Sequence, residues 1–378
     1  RVLANLAGHT VIWPDDGGRE LSPLVGAKAA GLGEIVRVLG PERVPPWFAV
    51  SDAALRQVLA AGIGRLDPQL GLAAGTPLLL AIERLLIRDD LDPRARAAAI
   101  RAAWLSAPLP DDLVVDVRAA HRALMSDAGA TAAADGDLAA VRSSTFEEDA
   151  ARSSWAGQFD TFLCVHGEDS VLEHLRLAWA SLWSQRVMSH RQALAARRPA
   201  HGPAGVETAG GGVIVQRLVD SRAAGVLHTL SAASGQPREM VLNVGLGLGE
   251  GVVSGIVEVD HVVVSRTGDL DPDRLRFRYT VGDKRDQVVR DRRTGRGTRI
   301  EETLYHQRLR PALEYPDLLE LVQAAARLES AYGHPLDIEF AFAGDNLYIL
   351  QARPIVAFQD ALQEAVARPP WGGANPTV

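Results

Sequence analysis

The sequence predicts a mixed α+β chain arranged as one large domain of two lobes, or as two domains. Three observations carry this. The 378 residues exceed the usual domain size of about 100–200, and a hydrophobic content of 47% supplies a sizeable core. Residues 52–139 are Ala/Leu/Arg-rich with helical patterning, whereas residues 212–266 read as strands and turns. Between them, Arg197-Arg198-Pro199 through Gly205 is polar and Gly/Pro-bearing, as a boundary between lobes would be.

The first informative block is PLVGAKAAGLGEIVRVLGPERVPPWFAVS, residues 23–51. Gly26 precedes Lys28, a helix is expected from Ala29 to about Leu39, Gly40-Pro41 stops it, and Trp47–Val50 forms a short strand. A lysine among small residues at a loop-to-helix junction is placed to neutralise a phosphate while backbone N–H groups point at it. A solvated lysine at a helix start has the same local sequence. Residues 52–139 then predict helices near 76–87, 94–106 and 112–127, a scaffold without chemistry.

The run VRSSTFEEDAARSSWAGQFDTFLCV, residues 141–165, changes character. Arg142 leaves an apolar entry into Ser and Thr hydroxyls, followed by Glu147-Glu148-Asp149, a small-residue loop through Gly157 and Gln158, and a strand Thr161–Val165. An arginine in that setting suits phosphate oxygens, while the hydroxyls suit a helix cap equally well. Cys164 reads as a core thiol. Ser170 and Glu173 predict a capping box for a long helix with an apolar stripe of Val171, Leu175, Ala178, Trp179, Leu182 and Trp183. His174 and His190 on that stretch have no partners at metal-ligand spacing.

Strands are expected at Val213–Gln216, Ala224–Thr229 and Glu239–Val244, with Arg217-Leu218-Val219 following the first. The glycine-rich GLGLGEGVVSG, Gly245–Gly255, either lets backbone amides approach an anion or builds tight turns. Residues 283–299 read as a solvated, Arg-rich hairpin face, with Lys284 the member singled out for chemistry. A helix from about Asp317 to Tyr332 ends at Gly333.

That helix delivers DIEFAFAGDNLYILQAR, Asp337–Arg353, a hairpin turning at 344–346. With a three-residue loop, Ala343 pairs with Leu347, Glu339 with Gln351 and Asp337 with Arg353; a bulge at the turn shifts this by one. Leu347, Ile349, Gln351 and Arg353 then share a face. The Glu339 carboxylate and Gln351 carbonyl are hard oxygens of the kind Mg²⁺ takes, and Arg353 offers a planar fork for phosphate. The alternative is a sheet edge with an Asp–Arg cross-strand pair, worth less than about 1 kcal/mol.

A net charge of −7 and pI near 5.8 argue against nucleic acid as the main partner. One cysteine permits no internal disulfide and fits a reducing cytoplasm. No apolar run approaches the roughly 18 residues that span a membrane, and no signal-peptide pattern opens the chain. It starts at Arg1, which suggests that a natural start has been removed.

Four blocks together resemble the nucleotide-binding domain shared by phosphoenolpyruvate synthase, pyruvate phosphate dikinase and rifampin phosphotransferase. They are VGAKAAGLGE with VPPWFAVS; VRSSTFEED with SSWAGQFDTFL; QRLV, AGVLHT and GLGEGVVSG; and DIEF with LYILQARPI. They occur in the family's order from Leu24 to Ile355, closer to the synthase and rifampin branch than to the dikinase. The resemblance implies an ATP-grasp fold, two α+β lobes holding ATP between them, with a helical insertion in the N-terminal lobe. Its lobes would be residues 1–199 and 207–357, with 358–378 a linker or tail.

By that likeness Lys28 and Arg142 bind phosphates, and Gln216, Arg217, Leu218 and Val219 line the adenine pocket. Gly247, Gly249, Glu250 and Gly251 cover the triphosphate, Glu339 and Gln351 hold Mg²⁺ and Arg353 stabilises the transferring group; the strand pairing, independently, sets Asp337 near enough to orient Arg353. A histidine on a separate swivelling domain would take the β-phosphate of ATP to a distant acceptor. The chain departs from the family at Gly-Ala-Lys (Ala27, for Gly-Gly-Lys), at Leu230–Ser234, where Asp-Pro is lost, and at Val259-Asp260, for Pro-Asp. No Thr-Ser-His segment of the swivelling type occurs; Met188-Ser189-His190 falls on a helix. The expected chain is therefore the ATP half of a synthase-like phosphotransferase. The alternatives are the same half of an antibiotic-phosphorylating or ATP-driven condensing enzyme, and a non-catalytic nucleotide-binding domain.

Overall fold

The computed structural model describes residues 2–126, 138–146, 160–197, 209–230, 239–265 and 275–355. The acidic run 147–149, the loop through Gly157 and Gln158, the segment from Arg198 to Gly205, the substitutions at 231–234 and the tail from 358 lie outside them.

The first half runs α1 (Val2–Leu6), β1 (Val11–Ile12), α2 (Ser22–Val25), α3 (Ala27–Leu39), β2 (Trp47–Val50), α4 (Asp52–Ala60), α5 (Leu78–Leu86), α6 (Pro93–Ser106) and α7 (Asp111–Ser126). After it come β3 (Leu138–Thr145), β4 (Thr161–His166), α8 (Glu168–Ala180), α9 (Gln185–Arg197), β5 (Gly211–Arg217), β6 (Ala223–His228) and β7 (Glu239–Leu246). The chain closes through α10 (Glu250–Val253), β8 (Asp260–Ser265), β9 (Arg276–Thr280), β10 (Asp286–Arg290), β11 (Thr298–Glu302), α11 (Tyr305–Arg308), α12 (Tyr315–Tyr332), β12 (Leu336–Ala343) and β13 (Asn346–Pro354).

These elements build a mixed α+β architecture around two main sheets. One has the order β1-β2-β5-β3-β4; the other is β13-β12-β6-β7-β8-β9, and β10-β11 is a separate ribbon. Among the described residues every strand pairing within the two sheets is antiparallel. Strand β5, which follows the expected boundary, is the middle strand of the first sheet and links β2 to β3.

Strand parity divides the first sheet cleanly. Phe48, Val50, Ala139, Val141, Val213 and Val215 face the helices α4 to α9, where Trp104 packs against Trp179 and Trp183 at centroid distances of 6.4 and 5.4 Å. Trp47, Ala49 and Ile214 face the other way, into a second core that also takes α3, α12 and the inner side of the six-stranded sheet. Helix α3 thus lies where both sheets can pack on it, and that fixes what its N-terminus can reach.

Two local readings change. Helix α8 begins at Glu168 behind Gly167, two residues before the expected capping box, because Gly167 takes φ +80° and ends the strand at once. Ser170 instead meets His174, whose Nδ1 lies 2.7 Å from the Ser170 carbonyl. Lys284 is fully enclosed and paired with the equally buried Asp260. Asp260 also accepts from Tyr279 Oη (2.7 Å), the Gly282 amide (2.9 Å) and the Ala312 amide (2.7 Å). A buried charge needs such a partner and full hydrogen bonding. Lys284 therefore braces the end of β9 against the entry to α12 and offers no charge to a ligand.

Candidate functional site

The site begins with one strained connection. Gly26 takes φ +78°, and a Cβ there would stand 2.0 Å from the Ser144 carbonyl oxygen, so α3 starts hard against β3. Ser144 Oγ accepts from the Ala29 amide at 3.0 Å, capping the helix from across the sheet. Lys28, on that first turn, reaches the Ser143 carbonyl at 3.5 Å. The helix runs from Ala27, two residues earlier than expected, because this long-range cap serves its free amides.

On β3 the even positions Leu138, Ala140, Arg142 and Ser144 share the face opposite the helical core. Leu138 and Ala140 join Cys164 and Leu218 in a small apolar cluster. Gln216 stands beside Ala140 in register, so an apolar end gives way to Gln216 and Arg142.

The hairpin β12–β13 repeats this gradient. Its turn is the two-residue Gly344-Asp345, so Ala343 pairs with Asn346 rather than Leu347. The register then shifts between Phe340 and Glu339, with Leu350 as the extra residue, and recovers Glu339↔Gln351 and Asp337↔Arg353. The expected pairing holds at the polar end and fails at the turn. Leu347 and Ile349 pair with Phe342 and Phe340 and join them in the core, away from Gln351 and Arg353. The other face carries Ala341 and Tyr348, clustered with Val219 and Ala224, and then Glu339, Gln351, Asp337 and Arg353. Leu218 and Val219, consecutive in the connection from β5 to β6, belong one to each apolar cluster.

Arg142 joins the two polar ends. Its Nη1 donates to the Leu350 carbonyl at 2.8 Å and to Gln216 Oε1 at 3.4 Å. Its Nη2 donates to Gln351 Oε1 at 3.1 Å and to Glu339 Oε2 at 3.4 Å. The bulge is what turns the Leu350 carbonyl to the guanidinium. Gln216 Nε2 donates in turn to the Pro45 carbonyl at 3.3 Å, and the Arg217 amide to Pro46 at 2.8 Å. Lys28, Arg142, Gln216, Glu339 and Gln351 are thus gathered within hydrogen-bonding reach of one cluster or of the adjoining residue of β3.

At the exposed mouth, Arg353 Nε donates to Asp337 Oδ2 at 2.8 Å, and His228 Nε2 lies 3.6 Å from Asp337 Oδ1. The sequence reading missed His228. Its signal is the register of β6 on β12, which sets His228 directly against Asp337. Tyr348 was missed too, because the mid-strand bulge reverses its face.

The glycine loop is docked on the β10–β11 ribbon. A Cβ on Gly247, at φ +76°, would meet the Val288 carbonyl at 2.3 Å, and the Leu248 amide donates to that same oxygen at 2.8 Å. Gly251 is buried against Val288 and Val257, and Glu250 Oε2 accepts from Thr298 Oγ1 at 2.7 Å. Gly249 lies over Ala224, on the face of the sheet that carries Val219 and Tyr348.

Among the described residues no group of three or more His, Cys, Asp and Glu side chains forms a metal site. Glu339 and Gln351 are a two-oxygen pair, and both already converge on a single cationic nitrogen. Such a pair suits an ion that takes its remaining ligands from water and phosphates. Cys164 stands in the apolar wall at φ +57°, and burial pushes its thiol up to about 11.

Comparison with known proteins gives this geometry its setting. A family model described as pyruvate phosphate dikinase, AMP/ATP-binding domain, matches residues 22–369. A phosphoenolpyruvate synthase from Aeropyrum pernix is 31% identical over 97% of this chain and 44% of its own length. A rifampicin phosphotransferase from a Streptomyces species is 35% identical over 88% of the chain and 34% of its own. A prodigiosin synthesizing transferase from Serratia marcescens is 31% identical over 98% and 36%. The chain spans less than half the length of these relatives. A match that takes in every strand of the cluster leaves one assignment: the chain belongs to the pyruvate phosphate dikinase AMP/ATP-binding domain family.

Proposed function

We propose that this chain is an ATP-grasp unit that binds Mg·ATP between its two sheets and presents the β-phosphate to a histidine on a swivelling domain. The observation that carries this is the Arg142 cluster, in which both sheets contribute polar groups beside two apolar clusters. The adenine would enter between Ala140 and Leu218 on one side and Val219, Ala341 and Tyr348 on the other, with Gln216 and Arg217 at its edge. The triphosphate would then run toward Arg142, Lys28 and the first turn of α3, whose free amides and dipole favour an anion. Gly247, Gly249, Glu250 and Gly251 would cover it. Glu339 and Gln351 would hold Mg²⁺, which when bound neutralises charge on the phosphates. Arg353, oriented by Asp337, would meet the charge that develops on the transferring group.

The lobes in this proposal are 1–199 and 207–357, with β5 completing the first sheet. The cytoplasmic location expected from the single cysteine belongs to the same proposal. Relatives named for three different substrates or products match at 31–35% identity, so what they would share with this chain is ATP chemistry rather than the acceptor. Calorimetry with ATP, with and without Mg²⁺, tests the reading. Binding should depend on the metal, turnover of ATP by the isolated chain should be slow, and none of its own histidines should take up stoichiometric, acid-labile phosphate. ATP binding unaffected by removal of Mg²⁺ would reject it in favour of a nucleotide-binding domain without catalysis.

A further inference from the structure

We infer that the Arg142 guanidinium is a built-in counter-cation that holds the metal position until a nucleotide arrives, so that metal alone is excluded. The inference rests on the Mg·ATP reading of the same site. Arg142 is 8% exposed, and its Nη2 takes the one Gln351 oxygen and one of the two Glu339 carboxylate oxygens, Oε2. Its Nη1 is committed to the Leu350 and Gln216 oxygens, so the guanidinium is held on both sides. The carboxylate of Glu339 thereby has its charge balanced inside the protein, while Asp337 is balanced separately by Arg353.

A divalent ion arriving alone would have to take Gln351 Oε1 from Arg142 and share the Glu339 carboxylate with it. It would leave a nearly buried guanidinium facing a doubly positive ion, and both desolvation and like-charge repulsion oppose that. A triphosphate reverses the balance. Its oxygens offer Arg142 stronger, charge-assisted partners than the neutral amide and carbonyl oxygens it holds now. Once Arg142 turns to the phosphates, Glu339 and Gln351 are released together. Nucleotide and metal therefore bind with strong positive coupling, which reciprocal linkage requires to be equal in either order. Lys28 adds a second cation one residue along β3 and strengthens the bias.

Mn²⁺ serves as the probe; without nucleotide its uptake is read as loss of the free-ion paramagnetic signal, and with nucleotide as Mn²⁺ retained with the protein in equilibrium dialysis beyond that held by the analogue alone. The wild-type chain should leave Mn²⁺ free until a non-hydrolysable ATP analogue is added. Arg142→Met should take up one Mn²⁺ without nucleotide, at least about tenfold more tightly than wild type, within the usual range of such couplings. Arg142→Lys, which keeps the charge, should continue to exclude it. Should Arg142→Met not fold by circular dichroism, Arg142→Gln takes its place with the same expected gain. Nucleotide-free uptake by wild type as tight as by the neutral variant, no gain in either neutral variant, or an equal gain in Arg142→Lys would each overturn the inference. Glu339→Gln separates this from the parent reading. If wild type and Glu339→Gln take up Mn²⁺ equally with the analogue present, the metal site itself is misassigned and both ideas fall.

Discussion

Glu339 and Phe340 are consecutive residues with opposite duties, and their substitution separates chemistry from stability. Glu339→Gln keeps the shape of a partly exposed side chain that meets Arg142. It should leave the melting temperature within a few degrees, yet lower metal-dependent phosphotransfer in the complete enzyme about a hundred- to thousandfold. Phe340 is fully buried, edge-on to Phe342 at 6.1 Å, and Phe340→Ala should cost about 3–5 kcal/mol in urea denaturation. Unfolding by the first change with no effect of the second would show the faces to be reversed. Cys164 supplies a pH test. Its folded thiol is raised from 9.0 to about 11, so the neutral form is favoured in the fold. Stability from this group is fully present below pH 9 and is lost as pH rises toward 11, by at most about 2–3 kcal/mol. Urea midpoints measured from pH 8 to 11 should therefore fall more steeply for wild type than for Cys164→Ala. A thiol-specific chromogenic reagent at pH 8 should label Cys164 only on unfolding.

At the scale of elements, the sequence was most legible where pattern is local. Helices expected near 76–87, 94–106 and 112–127 form at 78–86, 93–106 and 111–126, because Asp, Pro and Gly punctuate them. Helix α12 ends at Gly333 in a left-handed cap, as read. What stayed hidden depends on residues far apart in sequence. The early start of α3 needs Ser144, and the enclosure of Lys284 needs Asp260 and Tyr279. The bulge at Leu350 leaves no mark in an alternation that both registers satisfy equally well. For the candidate site, the residues at the polar end of the hairpin were legible through their chemistry. His228 and Tyr348 were not, because register alone puts them there. The glycine loop and the β10–β11 ribbon act as one element, joined at Gly247 and Val288. Gly247→Ala would force a left-handed alanine against the Val288 carbonyl, a strain of about 1–3 kcal/mol with a steric clash added. Amide exchange across 286–302 should accelerate, and ATP affinity should fall while the helical core keeps its protection.

At the scale of the whole molecule, the central strand of the first sheet comes from far downstream. Trp47–Val50 pair with Val213–Gln216, and the Ala139–Thr145 stretch of β3 pairs with Gly211–Arg217. A fragment of residues 1–199 would keep β2 and β3 with the strand between them missing, and both would present raw edges. Such a fragment should be aggregated or molten by near-ultraviolet circular dichroism, and a fragment extended through residue 219 should recover fixed tertiary structure. The same arrangement sets a schedule on the ribosome. Strand β2 has only the two residues of β1 on one side, and must wait through about 160 residues of further synthesis for its neighbour on the other, on the order of ten seconds at roughly 5–20 residues per second. Throughout that interval Trp47 and Phe48, both buried in the finished protein, lack the Gln216 and Val215 they pair with. Nascent chains stalled before residue 211 should therefore be the form that chaperones hold longest, and pausing after β5 has emerged should matter far less.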